Sequence, residues 1–196
     1  MSRTLFFSLL FVLCGVMTPG GVHARAIDDG FVPAQVITSS HFSIQLAAGV
    51  DAQELVRRLD IGPGHRILAG QSLRGDYGAE DLGELMDALF KWACGVLDMQ
   101  LYTYKGTVKV VADGESMKGI VRRLFGRDAY SEKGFYVFDN NTLYIAVGDF
   151  TKEIMGHEMA HAVISNFFVV QPPEKVQEVL AGYIEYQIRK GSVSRP

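Results

Sequence analysis

Residues 150–167 read FTKEIMGHEMAHAVISNF, and the reading of this stretch decides the fold. Ile154, Met159, Val163 and Ile164 fall around most of a helix circumference, so the segment predicts a helix that is largely buried. On a 3.6-residue helix His157 and His161 stand one turn and about 40° apart, which lets both imidazoles converge on a single metal ion. Glu158 projects about 100° from His157. That offset brings its carboxylate to a water at such an ion without making it a ligand. Two histidines need a third protein ligand, and it has to come from another element.

Downstream, Val170-Gln171-Pro172-Pro173 breaks the helix, and 174–189 resumes a helical pattern. Val176, Val179, Leu180, Tyr183 and Ile184 form its apolar side, while Glu174, Glu178 and Glu185 lie opposite. An acidic stripe is usually a solvated face. Behind a pair of helical histidines it is also a source of ligands, and Ala181 and Gly182 beside it leave room for close helix approach. Glu178 is the central candidate of the three.

Upstream, 134–138 and 142–147 flank Asp139-Asn140-Asn141, three turn formers that predict a β-hairpin. Residues 107–111 are β-branched enough for a strand. A helical face recurs over 116–125 until Gly126 stops it. The strongest ordinary helix spans 80–98, with Leu82, Leu85, Met86, Leu89, Trp92, Ala93, Val96 and Leu97 at helical spacing. Further toward the N-terminus, 41–47 alternates as a strand, 51–59 suits a short helix, and a glycine-rich connection includes a short strand at 65–68. No repeat or second-domain boundary interrupts 40–196, so the expectation is a single α+β domain. Residues 25–39, with Gly30, Pro33 and Ser39, the first of two adjacent serines, read as a flexible lead-in.

The 196 residues are 48% hydrophobic and 21% charged, which fits a globular chain and excludes collagen, coiled coil and low-complexity polymer. A net charge of -3 offers no basic field for nucleic acid, so none is expected as a partner. Arg3, the uncharged run 5–17 and the sequence Val22-His23-Ala24 read as a signal peptide ending near residue 24. The run has thirteen residues, short of the ~20 needed for a bilayer helix, so no stable membrane span is expected. Leu13 is too large to precede a lipidated Cys14. Export to the periplasm or the extracellular space follows as the expected localisation. Cleavage would remove one of the 19 basic residues and none of the 22 acidic ones, moving the net charge from -3 to -4. Cys94 would then be the remaining thiol, placed among apolar residues where packing is its expected role. His41 and His65 each stand apart from any ligand pattern and read as structural or surface residues.

The His157-Glu158-x-x-His161 helix followed by a glutamate-bearing helix resembles the gluzincin metallopeptidases, and in particular small peptidase MA-like domains. That family shows a proline, an acid about five residues on, and then Gly-x-Ala-Glu-Tyr. Here Pro173, Glu178, Ala181 and Tyr183 align, while Val179 replaces the glycine and Gly182 the glutamate. The resemblance covers roughly residues 40–190 and implies a zincin-like fold, with a small mixed sheet packed on the active helix. It also implies one Zn²⁺ held by His157, His161 and Glu178, and Glu158 as general base in peptide-bond hydrolysis. Gly182 stands where relatives often carry a carboxylate that orients the first histidine, and Glu185, on the same stripe, is the candidate to replace it. The strand 142–147 resembles the zincin edge strand, along which an extended peptide or protein substrate would pair, and plain pairing within the sheet is the equal alternative. The alternative expectation is an exported protein that binds zinc without hydrolysing anything. An intact Glu158 argues against it, because zinc binding alone has no use for a base.

Overall fold

The computed structural model describes residues 28–59, 78–126 and 133–193. The expected signal peptide at 1–24, the short strand at 65–68 and His65 lie outside the described residues.

Among the described residues, five strands and five α-helices follow in the order β1 (Gln35–Thr38), β2 (Phe42–Leu46), α1 (Ala52–Arg58), α2 (Leu82–Leu97), β3 (Gly106–Val111), α3 (Gly114–Phe125), β4 (Gly134–Val137), β5 (Thr142–Ala146), α4 (Lys152–Phe167) and α5 (Glu174–Val193). Short 3-10 turns precede α2 and α4. The strands form one mixed sheet in the order β1-β2-β3-β5-β4. The central pairs β2/β3 and β3/β5 are parallel, and the outer pairs β1/β2 and β4/β5 are antiparallel. The chain is therefore an α+β protein with a five-stranded mixed sheet.

The alternation of side chains along each strand separates two cores. Ile44, Val108, Val110, Leu143 and Ile145 face α1, α2, α4 and α5 in the main core, together with Phe90, Met155, Met159 and Ile184. On the other face Val111, Tyr144 and Ala146 meet Met117 and Ile120 of α3, and Phe135 and Val137 pack alongside. Local signals set the helix ends. Asp113 accepts from Ser116 N–H at the start of α3, and Gly126, in the left-handed region at φ 66°, ends it. Thr151 accepts from Ile154 N–H at the start of α4. Cys94 is buried in the main core, as expected, and burial pushes its thiol up to about 11.

The chain between residues 28 and 39 is not a flexible lead-in. Residues Gln35–Thr38 form β1, and Asp29 is buried on the α3 face, where it accepts from Lys109 Nζ, Tyr144 OH and Phe31 N–H. A short, mostly exposed edge strand carries no hydrophobic alternation. The side-chain partners of Asp29, Lys109 and Tyr144, lie 80 and 115 residues downstream. Neither leaves a local signal.

Candidate metal centre

Among the described elements, α4 and α5 make the most extensive contact. Gly156 permits it, because a Cβ there would stand 2.3 Å from Ile188 Cδ1 and 3.3 Å from Ile184 Cγ2. Gly182, expected to provide that closeness, has nothing within 4 Å of a Cβ position, whereas its neighbour Ala181 is buried. The buried side of α5 is Ala181, Ile184 and Ile188. Val176, Val179 and Tyr183, expected on the apolar side, are exposed instead.

This close packing brings Glu178 up to the histidines. His157 Nε2 and His161 Nε2 are 3.3 Å apart, and the Glu178 carboxylate lies 3.5 Å from the first and 3.3 Å from the second. One ligand atom from each residue falls within 4.8 Å of the others, a spacing that could hold a metal ion. Imidazole nitrogen and carboxylate oxygen form a donor set that suits Zn²⁺ with three protein ligands. Burial, with His157 beside it, lowers the His161 pKa against the opposing pull of Glu178 and Gln177, which favours the neutral ring that ligation requires.

The far nitrogen of His157 has its own neighbour. Glu185 Oε2 lies 3.5 Å from Nδ1, which is buried and makes no hydrogen bond, and the other Glu185 oxygen binds Arg189. Glu185, the supporting carboxylate expected on the acidic stripe, thus faces the His157 ring from the side away from Glu178. Two turns along a helix return to nearly the same face, which puts Glu178 and Glu185 on one side of α5.

Glu158 is buried and lines the same cleft without joining the three-residue cluster. Burial, and then the nearby charge of Glu178, pushes its carboxyl up to about 8. The cleft, of about 590 Å³, is lined on one side by α4 and α5 and on the other by Gly134, Phe135, Tyr136 and Phe138. β4 passes close over Glu158: a Cβ on Gly134 would stand 3.6 Å from Glu158 Cγ.

The strand at the cleft is therefore β4 and not the expected 142–147. β5 lies between β3 and β4 and is buried along its whole length. The sequence Thr142-Leu143-Tyr144-Ile145-Ala146 has the continuous apolar character of a strand covered on both faces, and that signal could have excluded it from the edge. Sequence reasoning also missed a polar pin between the hairpin and α4. Asn166 Nδ2 donates to Tyr136 OH (2.9 Å) and Asn141 Oδ1 (3.3 Å), and Tyr136 OH donates to Asn141 Oδ1 (2.6 Å). His41 stands outside the site: its Nδ1 lies 3.2 Å from the Tyr104 carbonyl, and its backbone N–H donates to Asp87.

No family model, curated protein or solved structure matches the chain. The functional reading rests on the chemistry of the site itself.

Proposed function

We propose that the protein is an exported, zinc-dependent metallopeptidase with a zincin-like site. One observation carries the reading: three donors from two helices, His157, His161 and Glu178, converge beside a cleft whose buried carboxylate, Glu158, stays outside the donor cluster. That division between ligands and a neighbouring base is what hydrolysis needs and what storage or structural binding does not.

His157, His161 and Glu178 would hold the ion, and Glu185 would fix the His157 ring through Nδ1. Zn²⁺ there supplies a Lewis acid that acidifies water and polarises a carbonyl. With an ion held there, Glu158 would be ionised despite its burial and the Glu178 charge, and so would serve as a base. Glu158 takes a proton from the attacking water and delivers it to the leaving nitrogen. A peptide substrate is bound in extended form along β4. The Lys133 carbonyl accepts from Ala146 N–H, so by antiparallel alternation Tyr136 turns its own N–H and C=O away from β5. An added strand pairs with those groups and crosses the cleft over Glu158.

The test is Glu158→Gln, which keeps the volume and removes the base. The variant is expected to bind zinc as wild type does and to lose peptide hydrolysis by at least ~100-fold. Equal hydrolysis by both proteins refutes the mechanism. A zinc-loaded wild type that cleaves nothing in a broad peptide library favours the non-hydrolytic alternative.

A further inference from the structure

The loop between α4 and α5 and the outward face of α5 form an apolar surface that the metal centre does not use. Val169 and Val170 at the loop tip are 102% and 82% exposed, and Val176, Val179, Tyr183 and Tyr186 continue the surface along the helix. The loop is braced: Gln171 Nε2 donates to the Ser165 and Phe168 carbonyls, and Gln177 Nε2 to the Pro172 carbonyl. Val169 and Val170 therefore stand out into solvent from a braced loop.

Its charge is one-sided. At about 100° per residue, the acids of α5 up to Gly191 (Glu174, Glu178 and Glu185) fall on the cleft side with Arg189 near them, and the outward arc carries only Lys175 and Lys190 as charges. Residues 167–173 carry none. In a chain of net charge -3, an acid-free face joining exposed valines, tyrosines and two lysines has the chemistry of a bilayer interface: aliphatic residues for the acyl boundary, tyrosines for the headgroup level and lysines for anionic headgroups.

We propose that this face docks the protein on anionic lipid bilayers, with Val169 and Val170 inserted. Gln171 and Glu174 also line the cleft, so the docked protein holds its cleft mouth beside the membrane surface. The docking does not depend on the metal centre being catalytic.

Every described element lies within 28–193, so a chain beginning at Arg25 keeps them all and serves for the test. In it Cys94 is buried, and Val170→Cys provides an accessible thiol for an environment-sensitive fluorophore, with the exposed Tyr102→Cys as control. Vesicles of phosphatidylcholine with about one-third phosphatidylglycerol should shift emission to shorter wavelength at position 170 and leave position 102 unchanged. Partitioning should be on the order of tenfold weaker on phosphatidylcholine alone, and K175E/K190E should remove that difference. V169D/V170D should stay off both vesicles while keeping its melting temperature and zinc content. No shift at position 170 overturns the proposal, as does an equal shift at both positions. A shift that grows with protein concentration in the absence of vesicles overturns it in favour of a second copy of this chain. V169D/V170D that still binds vesicles like wild type also overturns it. Loss of zinc or hydrolysis in wild type bears on the metal reading alone.

Discussion

Gly156 of α4 sits directly against Ile188 of α5, with 2.3 Å between a would-be Cβ and Ile188 Cδ1. The glycine next to the first histidine therefore sets the separation of the two helices that carry the ligands. Gly156→Ala gains about 1 kcal/mol of helix propensity. Overpacking a filled core costs about 1–3 kcal/mol, and Ile184 and Ile188 are both buried. Overpacking wins, and a net loss of about 1 kcal/mol in a urea titration is expected. Ile188→Val deletes the offending methyl, so the double variant should be more stable than the two single effects added together. Strict additivity would show that the contact does not set the helix spacing.

A second prediction concerns Glu185. Its carboxylate lies 3.5 Å from His157 Nδ1, and groups that orient a ligating histidine typically contribute about 10- to 100-fold in metal affinity. Glu185→Ala should weaken zinc binding by roughly tenfold in a chelator competition. Gly182→Asp in that background should recover part of the loss, since it restores a carboxylate one turn after Glu178. Affinity that does not change in Glu185→Ala assigns Glu185 to Arg189 alone.

The helices were legible in sequence because each carries its own period. The expected spans 80–98, 150–167 and 174–189 start and end within four residues of α2, α4 and α5, and the hairpin turn at Asn141 takes the left-handed φ of 51° that its asparagines suggested. The convergence of His157 and His161 was equally local, one turn of one helix. What sequence left hidden depends on distant partners. β1 has Val36 half exposed and no buried face to generate a pattern. The order of β4 and β5 in the sheet follows from β3 pairing with β5, a contact across some thirty-five residues. The side of α5 that is buried was misread because Val176, Val179 and Tyr183 look like a core stripe, while the real contact uses Ala181 and two isoleucines against a glycine.

Glu174 and Glu178 are one turn apart and both line the cleft, but only Glu178 is within 3.5 Å of the two histidines. Purified wild type should contain one zinc per chain by elemental analysis. Glu178→Ala should lose most of it on dialysis, and Glu174→Ala should retain it. Equal retention by the two variants would remove Glu178 from the ligand set.

The last prediction tests the attachment of the N-terminal segment through pH. Burial alone would raise the Asp29 carboxyl, but hydrogen bonds from Lys109, Tyr144 and Phe31 N–H, with the Lys109 charge, outweigh it and hold the pKa below its ordinary value of 3.8. A depressed pKa in the folded state contributes stability that is present above the unfolded value and is lost as pH falls through the folded one. Asp29→Asn leaves the largely buried Lys109 ammonium without its carboxylate, which should cost about 3 kcal/mol at neutral pH. Between pH 7 and pH 5 the difference between wild type and variant should be constant. Below about pH 4 it should shrink, because the unfolded wild-type chain then takes up a proton at Asp29 and the folded chain follows at lower pH, where it approaches the neutral variant. Urea titrations across this range read the difference directly. A gap of the same size at pH 7 and well below pH 3 would mean that the asparagine damages packing and that the charge of Asp29 is not what fastens the segment to the sheet.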